Sequence, residues 1–235
     1  MAYSTELYQP DKKAAYDVLS FRTENEWLAG RTQGIGGSDS SAVIGRNPWK
    51  TNVQLYREKV GLIHSPDISN SDAVKYGKSA EEPLRRLFQL DHPELIVNYK
   101  NKTILRNREY PFLLYSPDGL LKERDSGRKG ILEIKTTTIV QSMMYEKWNH
   151  RVPDNYYVQV LHGLLVTDFD FIILRAQLKY KSGDLSIREY HFERSACEDD
   201  LSYLKDSLIK FWNNNILAGI VAAKDSLIFL WQNSP

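Results

Sequence analysis

Apolar positions along this chain follow two rhythms. Over roughly the first ninety residues they recur every three to four positions, which is the spacing of a helix face. Residues 12–31 read as a helix ending near Gly30, and NVQLYREKVG (52–61) as a helix stopped by Gly61. In a third helix, 73–90, Ala80, Leu84, Leu87 and Phe88 form one stripe, and Pro83 implies a start near Ser79 or a kink. Between the first two helices lies GIGGSDSSAVIG, a glycine-rich turn before a short apolar run, followed by a turn at Asn47-Pro48. IHSPDISNSD (63–72) reads as a loop. The rhythm then changes. LIVNYKNKTILRN, YPFLLYS and GILEIKTTT read as three strands with turn-rich links. SMMYEKW and NYYVQVLHGLLV return to helical spacing. FIILRAQL and LSIREYHF form two further strands joined at Lys181-Ser182-Gly183-Asp184, and a long helix, about 196–218, closes the chain. This order predicts a mixed β-sheet flanked by helices, in the α/β or α+β class. No linker interrupts it, so residues 1–235 are expected to form a single domain.

Composition narrows the function. With 42% hydrophobic residues the chain can bury a substantial core. The formal net charge is +1, which argues against indiscriminate electrostatic grip on nucleic acid. The single cysteine, Cys197, excludes a disulfide framework, a cysteine zinc site and an iron–sulfur cluster. The first seventeen residues, MAYSTELYQPDKKAAYD, contain no apolar run of signal-peptide length. No stretch approaches the ~18 apolar residues of a membrane span. A cytoplasmic location is the expectation.

The chemistry concentrates in GILEIKTTT. Glu133 and Lys135 are two apart, so on a strand both point to one side, among Ile131, Leu132 and Ile134. Asp118, in YSPDG, precedes Glu133 by a gap of residues 119–132. Two strands joined by a turn-rich link would bring the carboxylates together. Adjacent carboxylates repel, so each needs a cation or a proton. A hard, oxygen-seeking ion such as Mg²⁺ fits, because it takes one or two carboxylates and completes its shell with water and phosphate. Lys135 would then hold the attacking water or stabilise charge on phosphorus. The ordinary alternatives are a surface salt bridge for Glu133 and Lys135 and a plain turn for Asp118-Gly119.

Gly34-Ile35-Gly36-Gly37-Ser38 could offer backbone N–H groups to a phosphate, or could be a tight turn with Ser38 as N-cap. It is neither a Walker loop nor a dinucleotide fingerprint. Lys100, Lys102, Arg106, Arg108, Lys147 and Arg151, interleaved with Tyr99, Tyr110 and Trp148, either track a DNA backbone or form ordinary solvated surface. Trp49 could wedge against a DNA end, although a core role is the stronger expectation. His162 is expected to pack rather than react.

Pro117-Asp118, the gap, and Glu133-Ile134-Lys135 resemble the PD-(D/E)XK nuclease signature. More narrowly, GIGGSDSSAVIGRNPWKT, YGKSAEEPLRRLF, YSPDGLL, LEIKT and YYVQVLHGLLVT resemble, in order, the motifs of the phage lambda exonuclease and YqaJ-type viral recombinase family. The resemblance covers about residues 27–175. It implies a restriction-endonuclease-like core and a Mg²⁺-dependent enzyme, with Mn²⁺ as a substitute. Such an enzyme digests one strand of duplex DNA from its 5′ end to mononucleotides. The remaining 3′ strand goes to a single-strand annealing partner. It further implies a homotrimeric ring around DNA in a phage-infected or prophage-bearing bacterium.

Carried over by position, Asp118, Glu133 and the Ile134 backbone carbonyl would hold the metal, and Lys135 would be the catalytic lysine. The family's helix glutamate falls on Glu81 or Glu82. Periodicity favours Glu81, which shares a face with Leu84 and Phe88 and could reach the metal through water. Glu82 groups with Arg85, Arg86 and Gln89 on a solvent face, or caps a helix beginning at Ser79. Gln159 matches a glutamine near the attacking water; from the residues alone it would be an ordinary exposed side chain. Arg31, Ser38 and Ser116 map onto contacts to the 5′-phosphate. Two further readings remain: an endonuclease of the same superfamily, of restriction or junction-resolving type, and a non-catalytic DNA-end-binding module.

Overall fold

A computed structural model describes residues 3–66 and 68–219. Nine strands and seven α-helices are described. In chain order they are β1 (Tyr16–Ser20), α1 (Glu24–Thr32), β2 (Ile35–Gly36), α2 (Gly37–Val43), α3 (Asn52–Lys59) and α4 (Asp72–Asp91), then β3 (Leu95–Asn98), β4 (Thr103–Asn107), β5 (Leu113–Tyr115), β6 (Gly119–Glu123) and β7 (Lys129–Ile139). After these come α5 (Ser142–Glu146), α6 (Asp154–Thr167), β8 (Phe171–Tyr180), β9 (Leu185–Glu193) and α7 (Glu198–Phe211), the last continued by a π-helical segment, Trp212–Leu217.

The strands form two mixed sheets rather than one. The larger has the order β3-β6-β7-β8-β9, and its only parallel pair is β7 with β8. A parallel pair needs a crossover, which α5 and α6 supply. The smaller has the order β1-β4-β5-β2, with β2 parallel to β5. The α+β class and the helical flanks are as expected, and the sheet is divided.

Several local expectations need correction. Residues 12–31 are not one helix. Tyr16–Ser20 is a strand paired antiparallel with β4, from Tyr16 opposite Asn107 to Ser20 opposite Thr103. Helix α1 begins only after Thr23, which accepts from the Glu26 N–H while the Glu26 carboxylate accepts from the Thr23 N–H, a capping box. LIVNYKNKTILRN is two strands in two sheets, separated by a turn in which Lys102 has φ 52°. GLLKE, read as part of a link, is the interior strand β6, between β3 and β7. Helix α4 starts at Asp72, capped by Ser71, and continues unbroken past Pro83, so it does not begin at Ser79.

Side chains of β7 alternate between two cores. Leu132 and Ile134 pack with Leu84 and Phe88 of α4. Ile131 and Ile139 face the larger core, which includes Val158, Leu161 and Leu164 of α6 and Leu204 and Leu208 of α7. Leu87, placed on the α4 stripe, is instead 39% exposed. Trp49 is 73% exposed, against the expected core role.

Candidate active site

Period-two alternation on β7 puts Glu133 and Lys135 on one side of the sheet, and they meet: Lys135 Nζ lies 2.6 Å from Glu133 Oε1. The contact is largely buried, with Glu133 1% exposed, so the alternative of a solvated surface salt bridge fails. Antiparallel pairing of β6 with β7 sets Gly119 opposite Leu132. That register delivers Asp118, at the start of β6, to β7, where its Oδ2 accepts a 2.7 Å bond from the Ile134 N–H. The aspartate, glutamate and lysine inferred from the signature therefore converge.

Helices complete the cluster. Gln159 of α6 is half-buried, not exposed, and its Nε2 donates to Glu133 Oε1 at 2.6 Å. Tyr115, at the end of β5 and buried, donates its hydroxyl to Glu133 Oε2. Glu81 of α4 is half-buried and close enough to feel Glu133, Arg85 and Lys135 electrostatically, whereas Glu82 is exposed and pairs with Arg86 at 2.6 Å. Periodicity thus put Glu81 on the inward side, as observed, and misplaced Arg85. Assigned to the solvent face, Arg85 is 2% exposed. Its Nε donates to the Asp118 backbone carbonyl at 2.5 Å, and its guanidinium stacks 3.4 Å from the Tyr99 ring centroid. Tyr99 therefore shields a buried cation and is not part of a DNA-facing track. Neither Arg85 nor Tyr115 carries a local sequence signal beyond being a large polar-tipped residue near a motif.

The charges are strongly coupled. Asp118 is pushed up to about 8, first by burial and then by the Glu133 and Glu81 carboxylates, which Lys135 only partly offsets. Glu81 is also raised, with burial the largest cause and Arg85 and Lys135 acting against it. For Lys135 burial favours the neutral amine, but Glu133 and Asp118 outweigh it and the ammonium is held more firmly than usual. Three carboxylates therefore face two cations, Lys135 and Arg85. A donor set of hard oxygens short of positive charge fits a divalent cation such as Mg²⁺. Among the described residues no three His, Cys, Asp or Glu side chains already enclose an ion site. Water, a backbone carbonyl or substrate phosphate would complete the shell.

The glycine-rich turn sits against this cluster. Gly37 is so close to α6 that a Cβ there would lie 3.0 Å from Gln159 Cγ. The cap of α2 is Gly36, not Ser38, and the Gly36 N–H is taken by Asp39 Oδ2 at 3.2 Å. Asp39 in turn pairs with Lys59 at 2.8 Å, and the Lys59 and Lys50 ammoniums hold its carboxyl below the usual range despite burial. Ser38 and Arg31 are exposed, Arg31 stacking 4.8 Å over Trp27, and Ser116 is half-buried beside Tyr115. His162 packs as expected. It is buried between Ser40 Oγ (2.6 Å) and the Leu114 carbonyl (2.9 Å), and burial pushes it down to about 4.

The basic track does not hold as drawn. Trp148 lies in the core against Tyr156 and Tyr190. Arg108 is tied to Asp17 and to the carbonyls of Asp11, Lys12 and Ala14, and Arg106 also pairs with Asp17.

The YqaJ-like viral recombinase domain matches residues 26–170. The uncharacterized protein YqaJ of Bacillus subtilis (strain 168) is 30% identical over 213 residues, 89% of this chain, and the chain spans 62% of that relative's length. Among solved structures, the alkaline exonuclease LHK-Exo of Laribacter hongkongensis in complex with dAMP superposes with a TM-score of 0.61 at 17% identity, over 88% of this chain and 96% of that one. A phage-related exonuclease from Haemophilus somnus 129PT gives a TM-score of 0.52 at 15% identity, over 80% and 96%. At these identities the likeness shows the fold, and it is the nuclease-type α+β fold the motifs implied. The domain match runs from α1 through the glycine-rich turn, the Asp118 and β7 motifs and α6, and the chain belongs to the YqaJ-like viral recombinase domain family.

Proposed function

We propose that this chain is a Mg²⁺-dependent 5′→3′ exonuclease acting on linear double-stranded DNA. It releases 5′-mononucleotides and leaves 3′ single strands for an annealing partner in phage-type recombination. One observation carries the reading: Asp118, Glu133 and Lys135 converge within hydrogen-bond reach of one short stretch of β7. Membership of a viral recombinase family and a fold shared with exonucleases support it.

Asp118, Glu133 and the Ile134 carbonyl would hold the ion, with Glu81 contributing through water. The ion, when bound, supplies Lewis-acid polarisation of water and of the scissile phosphate. Lys135 keeps its proton, because Glu133 and Asp118 surround it, so it acts as a donor and a positive charge and not as the base. Its ammonium orients the attacking oxygen and offsets charge that develops on phosphorus. Gln159 fixes Glu133 from the α6 side and can hold water at the same edge. Arg31, Ser38 and Ser116 form the proposed 5′-phosphate contacts; an arginine–phosphate pair is directional and charge-assisted. A homotrimeric ring and a cytoplasmic, phage- or prophage-encoded setting complete the proposal.

The test is digestion of linear duplex carrying one labelled 5′-phosphate, with Mg²⁺ and with EDTA. The reading requires labelled mononucleotide with Mg²⁺ alone. Cutting of a closed circle would replace it with an endonuclease, and binding of ends without release would replace it with a binding module.

A further inference from the structure

Glu133 accepts from three side chains. Its Oε1 accepts from both Lys135 and Gln159 at 2.6 Å. Its Oε2 accepts from Tyr115. Two of these donors belong to the reading already given, on strand β7 and helix α6. The third comes from elsewhere: Tyr115 ends β5, in the four-stranded sheet, while Glu133 lies in the five-stranded one. The phenol therefore fastens the catalytic carboxylate to the opposite sheet.

The surroundings of Tyr115 are shaped for that reach. Two glycines line its ring. A Cβ on Gly163 of α6 would lie 3.0 Å from Tyr115 Cζ, and a Cβ on Gly37 of the glycine-rich turn 3.4 Å from Cδ2. Neither glycine has a positive φ, so close approach and not backbone strain calls for the missing side chain. The ring is thus held between two glycine surfaces, with its hydroxyl aimed at one atom. The donor is neutral. It fixes the orientation of the carboxylate without cancelling the negative charge a cation needs, whereas a second ammonium in that position would compete with the cation.

Resting on the nuclease reading, we propose that Tyr115 is a positioning residue: it holds Glu133 Oε2 from the neighbouring sheet and so presets the carboxylate for divalent-metal binding. The oxygen it fixes is the one that Lys135 and Gln159 leave free. Without it Glu133 can rotate toward its Oε1 partners, and the metal must draw it back.

Tyr115→Phe removes one oxygen and keeps the ring between the two glycines. Three measurements apply. Mg²⁺ binding to the DNA-free protein by calorimetry should weaken about tenfold or more, the effect of losing a partner that orients a metal ligand. In the nuclease assay at saturating Mg²⁺, kcat should fall at least tenfold while KM for DNA stays within twofold, because the phenol touches no DNA. The melting temperature in EDTA should stay within about 5 °C of the parent's, as for one lost buried hydrogen bond. Mg²⁺ affinity and kcat both within twofold of the parent's, or a lower melting temperature as the only change, would overturn the proposal. Should Tyr115→Phe fail to fold, Gly163→Ala, which pushes the ring by a few tenths of an ångström, must weaken Mg²⁺ binding in the same direction; unchanged affinity there overturns it equally. A parent that binds Mg²⁺ but releases no nucleotide sinks the nuclease reading, and the calorimetric comparison still decides the role of Tyr115.

Discussion

Asp118 offers the sharpest test of the site, because its proton and the metal compete for one carboxylate. Burial and the Glu133 and Glu81 charges push it up to about 8, from an ordinary value of 3.8. At pH 7, one unit below that value, roughly one Asp118 in ten is ionised in the metal-free protein. Mg²⁺ must then displace nearly a full proton to bind. Apparent Mg²⁺ affinity should rise about tenfold from pH 7 to a plateau above pH 9, and fall by another factor of about ten at pH 6. Calorimetry in two buffers of different ionisation heat should report about 0.9 protons released per ion at pH 7 and about 0.1 at pH 9. Linkage gives a second readout of the same sign. A carboxyl raised in the folded state adds stability that is fully present below pH 4 and is lost as the pH climbs through 8. In EDTA the parent should therefore lose stability across that window relative to Asp118→Asn, which carries no titrating group there. A flat Mg²⁺ affinity from pH 6.5 to 9 with no proton release would refute the electrostatic account of the site.

Three further outcomes are expected. Lys135→Ala should lower turnover with Mg²⁺ by at least about 100-fold, the scale of losing a preorganised donor at a developing charge; near-normal kcat in the same assay would remove Lys135 from the mechanism. Arg31→Ala should slow digestion of 5′-phosphorylated ends far more than of 5′-hydroxyl ends, and equal slowing of both would remove the phosphate contact. Gly34→Ala and Gly37→Ala should separate fold from function. At Gly34 a Cβ would meet the Phe112 carbonyl oxygen at 2.2 Å, so the backbone must move, and denaturant unfolding should show a loss of about 1–3 kcal/mol. At Gly37 the obstacle is the Gln159 side chain, which can yield, so stability should hold while kcat drops several-fold.

Strand β7 was legible because its pattern and its chemistry point the same way. LEIK alternates apolar and polar positions, and that alternation alone places Glu133 beside Lys135. The choice of Glu81 over Glu82 was legible for the same reason, since the helix period depends only on local geometry. What escaped was whatever pairing decides. KKAAYDVLSF has the composition of a helix as readily as of a strand, and Tyr16–Ser20 becomes β1 only because β4 lies beside it. Residues of β3 and β4 looked continuous because nothing local announces that Lys102 takes a positive φ and sends the chain to a second sheet.

Arg85 fails as a sequence inference in a more instructive way. The period that puts Glu81 inward also puts Arg85 one turn further along, at i+4, so the two must share a face. Arg85 also stands at i+3 from Glu82, and that spacing grouped it with the solvent face. The structure buries Arg85 and half-buries Glu81: the guanidinium sits between the Tyr99 ring and the Asp118 carbonyl and lowers the cost of the Glu81 carboxylate. An inward carboxylate on a helix therefore predicts an inward cation one turn away. The same reasoning applied to Glu133 predicts several donors around a carboxylate that is 1% exposed, and it has three, one of them from the opposite sheet. Unpaired charge inside a protein is costly enough that finding one member of such a cluster in a sequence is a reason to look for the others.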